Sequence, residues 1–210
     1  MVTDYGSTLI DVWELPEERI DASVARWRER VGLIRTAPGF RDARLHRRLS
    51  PEAPFGLVNV AHWDSVEARD EALAHPGFTA SAATANGYAT VHGGWYDVVA
   101  DLTAPGGGDA GAGAGITFVS VFELPEEQVD AILPHWLDHA ESVSKAPGFR
   151  DGRLHRAVAP DARFPLVLVA RWDSVDAWRA ADDDVHRRGL PPLPEHGAAH
   201  PALFRTVAAF

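Results

Sequence analysis

The sequence predicts an α+β fold built from two tandem βαββαβ repeats, and three observations lead there. Residues 8–76 recur at an offset of 109 as residues 117–185, with 33 of 69 positions identical. Each copy sets short β-rich runs around one long apolar stripe at helical spacing. A Gly/Ala-rich segment at 103–115, TAPGGGDAGAGAG, separates the copies. The shared phrases are ELPEE (from Glu14 and Glu123), APGFRD (from Ala37 and Ala146), RLHR (from Arg44 and Arg153) and WDSV (from Trp63 and Trp172). Both copies must fold alike, so positions where they disagree are ones the fold did not dictate. The expected organisation is a first domain at 1–102, a linker at 103–115 and a diverged copy at 116–210.

Each element has a local reason. Residues 8–13 and 117–122 are β-rich. Pro16 and Pro125, each followed by two glutamates, mark helix starts, because proline suits the first turn and acids suit the positive helix end. Ile20, Val24, Trp27, Val31 and Ile34 form a core stripe, repeated by Val129, Leu133, Trp136, Ala140 and Val143, with a kink expected at Pro134. Ala-Pro-Gly ends each helix. Strands follow at 40–49 and 55–63, and again at 149–158 and 164–172. Asp64-Ser65 and Asp173-Ser174 are N-cap candidates for a second helix. Last strands are expected near 91–99 and 203–209, and irregular segments at 76–90 and 186–201. This order is ferredoxin-like, an antiparallel sheet covered on one face by two helices. The other sheet face is also apolar, which predicts two repeats packed sheet to sheet as an intramolecular, pseudo-dimeric α/β barrel.

Bulk properties narrow the function. The net charge of −10 leaves no basic stripe for nucleic acid or for an anionic membrane surface. The absence of cysteine excludes disulfides and thiolate chemistry, and fits a cytoplasmic setting. No signal peptide and no apolar run of membrane-spanning length is present. There is no GxGxxG, GxxxxGK[ST], HExxH or GxSxG. His135 and His139 have a metal-compatible spacing, but the sister positions are Arg26 and Arg30, which reads as a solvated helix face. No metal and no cofactor is expected.

The third strand is the most informative. Alternation puts Leu57, Asn59, Ala61 and Trp63 on one face, where the sister row is Leu166, Leu168, Ala170 and Trp172. Asn59 therefore stands in an apolar row where leucine suffices, as a polar handle inside a pocket or as an amide serving nearby backbone. Trp63 shares that face and brings an indole donor, though its twin Trp172 makes a core role the default. Arg69 is replaced by Trp178 and reads as a solvated residue or as a counter-charge for an anionic substrate. His46 and His155, present in both copies, read as structural.

The phrase APGFRDARLHRRL…FGLVNVAHWDSVEA, with its copy APGFRDGRLHRAV…FPLVLVARWDSVDA, resembles the antibiotic biosynthesis monooxygenase family of dimeric α/β-barrel proteins. Members usually pair two identical subunits, so the resemblance implies a fused pair, with further oligomerisation left open. Members acting on aromatic polyketides oxygenate phenolic substrates without flavin, haem or metal, in a pocket between sheet and helices. An Asn and a Trp of the third strand are implicated there, and these match Asn59 and Trp63, the expected catalytic residues. The substrate wall is expected to include Arg69, Leu45, Leu57, Trp27, Trp172 and Trp178. Where such members carry tyrosines on the second strand and second helix, this chain has Leu45 and Arg69. The resemblance implies a cofactor-independent oxygenase using O2 on a small aromatic, polyketide-type metabolite. A cyclase of the same fold, a haem protein using His46 or His155, and a non-catalytic small-molecule carrier are the alternatives.

Overall fold

The structure is a computed structural model that describes residues 6–82, 89–103, 115–188 and 197–210. Most of the expected linker, and parts of both expected irregular segments, lie outside these residues. The elements are β1 (Ser7–Glu14), α1 (Glu17–Ile34), β2 (Phe40–Arg48), β3 (Leu57–Trp63), α2 (Val66–Leu73), α3 (Pro76–Ala82) and β4 (Thr90–Thr103). They continue as β5 (Ile116–Glu123), α4 (Glu126–Val143), β6 (Phe149–Ala157), β7 (Leu166–Trp172), α5 (Val175–Arg188) and β8 (Ala198–Ala209). The βαββαβ order therefore occurs twice, an α+β fold of two ferredoxin-like repeats. The short helix α3 occupies part of the stretch expected to be irregular.

The chain divides into two compact units, Met1–Tyr96 with Thr206–Phe210, and Asp97–Arg205. In the first, the antiparallel order is β4-β1-β3-β2. The last residues of the chain extend it beside β2, where Ala43 and Phe210 exchange both backbone hydrogen bonds at 3.1 and 3.0 Å. In the second, the order is β8-β5-β7-β6. Because β4 and β8 each run from one unit into the other, the strand order β1-β3-β2-β8-β5-β7-β6-β4 closes as a barrel.

Helix α1 forms for the reasons its sequence suggests. Pro16 sits at the N-cap and not at the first helical position expected of it, and Glu17 and Glu18 occupy the first turn. Arg47 and Arg48 of β2 grip Glu17 at 2.7 and 2.8 Å, so the start of the helix is tied to the sheet. All five stripe residues are buried, from Ile20 to Ile34. The second copy is looser. Val129, Ile132 and Ala140 are buried, while Leu133, Trp136 and Val143 are half-buried, and α4 continues through Pro134.

The turn after α1 explains the shared Pro-Gly-Phe. Gly39 has φ +81, and a Cβ there would lie 2.6 Å from Cβ of Ala68. Only glycine takes that conformation cheaply and lets α2 approach so closely. The Asp64 N–H donates to the Gly39 carbonyl at 2.8 Å. Ser65 then caps α2 by accepting from the Ala68 N–H at 3.1 Å, as its sequence position predicts. Gly148, Ala177 and Ser174 repeat the device in the second unit. Among the described residues no helix is long and apolar enough to cross a membrane.

Candidate active site

The first unit holds a cavity of about 300 Å³. Its floor is the outer row of β1 and β3, its roof is α1, and α2 and α3 close one side. Most of the wall is hydrocarbon and ring, including Leu9, Trp13, Trp27, Phe40, Trp63 and Phe78. One region is polar and contains Asp11, Arg26, Arg30, Asn59 and Arg69.

Asn59 is the centre of that region. Register places it opposite Asp11 on β1 and opposite Leu45 on β2. Its amide donates to Oδ2 of Asp11 at 2.9 Å, and its carbonyl accepts from the Trp27 indole at 3.2 Å. A buried amide is costly unless bonded, and this one is bonded on both ends to side chains rather than to backbone. The bond to Asp11 uses one of its two amide hydrogens.

Asp11 is a carboxylate enclosed by protein and open to the cavity. Burial raises its pKa above the ordinary 3.8, while the Asn59 hydrogen bond and the charges of Arg69 and Arg30 pull it back. Space for it is made by Gly93, its partner in the β1–β4 ladder, where a Cβ would lie 2.2 Å from Asp11 Oδ1. Two guanidinium groups act on it, those of Arg30 and Arg69. Arg30 lies over the Phe78 ring at 4.3 Å, and burial lowers its pKa. Arg69 lies over the Trp95 ring at 5.6 Å and meets Asp70 at 2.8 Å. Two donors of cavity-lining residues, the Trp13 indole N–H and the Arg69 Nε–H, are buried without an acceptor among the described residues.

The expected site residues divide into three groups. Asn59, Trp63, Arg69 and Trp27 line this one cavity. Leu45 and Leu57 are fully buried in the core beside it and do not line it. Trp172 and Trp178 belong to a cluster of the second unit, where Trp178 stacks on Phe118 at 5.5 Å. Trp63 packs edge-on against Phe40, and Trp172 against Phe149, in nearly the same geometry, 84° and 83°. The indole bonded to Asn59 is that of Trp27, on α1.

Sequence reasoning missed Asp11, Arg26, Arg30 and Gly93. Arg26 and Arg30 correct the expectation of a solvated helix face, since both are half-buried over the cavity. The signal was available in the repeat. The sister residues are Ser120, His135 and His139, three more polar positions at which the copies disagree. In the second unit Leu168 replaces the amide, and the Trp136 indole N–H is buried without an acceptor.

His46 and His155 are buried on their strands. The former meets Thr206 at 3.3 Å, and the latter donates from Nδ1 to the Val167 carbonyl at 3.1 Å. No cluster of three or more metal-ligating side chains occurs among the described residues.

Comparisons with known proteins agree with this architecture. Over 99% of this chain and 94% of the other, the fold matches an anthrone oxidase-like protein with a TM-score of 0.73 at 17% identity. A protein described as a monooxygenase from Fusobacterium nucleatum subsp. nucleatum matches over 98% and 94% of the two chains, with a TM-score of 0.64 at 10% identity. Another so described, from Lactobacillus acidophilus, matches over 97% of each, with a TM-score of 0.56 at 10% identity. Such identities carry the fold alone. No curated sequence matches the chain. The family model described as antibiotic biosynthesis monooxygenase matches residues 8–84 and again 116–201, so the chain belongs to that family, as a tandem pair of its repeats.

Proposed function

We propose that the first unit is a cofactor-independent oxygenase acting on a small, planar, phenolic metabolite of polyketide type. Family membership and monooxygenase neighbours support a monooxygenase in general. The finer reading rests on one observation: an apolar, ring-lined cavity of about 300 Å³ whose single polar region carries three guanidinium groups, one carboxylate and an amide. That volume suits a planar ligand of a few fused rings. The excess of positive charge favours the substrate after it has lost a proton.

In this reading the substrate's methylene loses a proton, and the resulting enolate donates an electron to O2. The radical pair combines to a peroxide, which eliminates water and leaves a carbonyl. One oxygen atom ends in the product and the other in water, with the substrate supplying all the electrons. The second amide hydrogen of Asn59 and the indole of Trp63 donate to the developing oxyanion, and Arg69 neutralises it. Preorganised donors of this kind act most strongly in a dry cavity.

An oxygen electrode with a panel of hydroxyanthrones tests the proposal. Uptake of one O2 per quinone formed is expected. Ring closure or tight binding without uptake would instead favour the cyclase or carrier reading.

A further inference from the structure

We propose that Asp11 is the general base that takes the substrate's proton, a catalytic role the sequence comparison did not suggest. The assignment deepens the oxygenase reading and rests on it for the identity of the carbon acid.

Four features of the structure support it. Asp11 is the one carboxylate that lines the cavity among the described residues. It is held at a fixed point, with Oδ2 accepting from Asn59 and Oδ1 lying against the bare Cα of Gly93. Trp27 braces Asn59 in turn, so α1, β3, β1 and β4 all fix one oxygen pair. Finally, the second copy lacks the whole set together, with Ser120, Leu168 and Pro201 where the first has Asp11, Asn59 and Gly93.

Electrostatics suit the role. Arg30 from α1 and Arg69 from α2 act on the carboxylate, and the buried Tyr96 phenol of β4 is pushed up first by burial and then by Asp11's charge. Burial raises the Asp11 pKa, which makes the carboxylate a stronger base than one in water. The guanidinium groups simultaneously favour the substrate anion. A carboxylate Oδ therefore takes the proton, the C–H electron pair becomes the enolate, and the positive charge of the site holds it. The peroxide anion then takes that proton back from the carboxyl. As the O–O bond breaks, the regenerated carboxylate removes the second methylene proton and passes it to the leaving hydroxide, giving water.

The test uses 1,8-dihydroxyanthrone in anaerobic D2O, following exchange of its methylene protons by NMR, with oxygen uptake measured in parallel. Wild-type protein is expected to exchange the methylene above the buffer rate. Asp11→Asn and Asp11→Ser, the latter matching the sister residue, are expected to slow exchange and uptake by about 10²–10⁴-fold. Quenching of cavity tryptophan fluorescence by anthraquinone should persist in both variants. Exchange without oxygen uptake, lost in both variants, supports the base and overturns the oxygenase reading. Oxygen uptake that survives in both variants within about threefold overturns the base and leaves the oxygenase standing. Wild-type protein that binds the anthrone without accelerating exchange also overturns it.

Discussion

A methyl group placed on Gly93 would lie 2.2 Å from Oδ1 of Asp11, so the glycine is the space in which the carboxylate sits. Neighbouring Gly94 has no such constraint, because a Cβ there would meet only the Tyr96 ring, at 3.4 Å. Gly93→Ala should therefore displace the carboxylate and lower kcat by about 10²-fold, the usual cost of misplacing a reacting group by an ångström. Gly94→Ala should retain activity. Steady-state kinetics on the two variants, with circular dichroism to verify folding, decide the matter.

Asn59→Leu installs the residue of the second copy. It removes the Asp11 and Trp27 bonds together, and turnover should fall by about 10²–10³-fold. Stability should fall by roughly 1–3 kcal/mol, because a half-buried carboxylate and a buried indole lose their partners. Adding Asp11→Ser should recover part of that loss without recovering activity. Urea denaturation of the two single variants and the double variant closes the cycle, and equal, additive losses would contradict the coupling.

The raised pKa of Asp11 has a definite sign for stability. Between the unfolded value near 3.8 and the higher folded value, the folded protein holds the extra proton. Asp11 therefore costs stability as pH rises through that window, and the full cost is present above the folded pKa. Asp11→Asn should gain stability over wild type as pH increases, and the gain should level off. Activity should show the opposite trend, with an acid limb whose midpoint lies above 3.8. Denaturation midpoints and kcat measured across pH 3–8 test both slopes.

Arg69→Trp, again the residue of the sister copy, should fill the cavity from α2. Trp178, at the equivalent position of the second unit, stacks on Phe118 at 5.5 Å and 26°. Anthraquinone binding should be lost while thermal stability is kept or raised, as for other cavity-filling changes. Fluorescence titration and a melting curve suffice.

Gly39→Ala tests the scaffold rather than the chemistry. The positive φ and the 2.6 Å approach to Ala68 both penalise a side chain there. A loss of roughly 1–3 kcal/mol is expected. Gly148→Ala should behave alike, since its φ is +83 and Ala177 lies at 2.5 Å.

The fold was legible because its signals are local and are stated twice. Ile20 to Ile34 keep helical spacing, Leu57 to Trp63 alternate, and Ser65 caps where a cap is due. Asn59 was legible for a different reason, as a polar residue in an apolar row with a leucine twin. Asp11 was not, because an acid that alternates with the buried Ile10 and Val12 along a strand ordinarily faces water. Its enclosure depends on how α1 folds back over β1 and on the pairing with β4, which is distant in sequence. Arg26 and Arg30 were misjudged similarly. They sit beside the buried stripe, and only the depth of the cavity under α1 turns that flank inward.

The last five residues lie in the first unit: Phe210 packs on Trp27 at 5.7 Å, and Arg28 donates to the Val207 carbonyl. A ribosome releases the N-terminal repeat long before it makes that ring. The helix that braces Asn59 therefore completes its packing only after the second repeat has been made. Completion of the first unit is thus tied to synthesis of both repeats, and order of manufacture differs from order of completion.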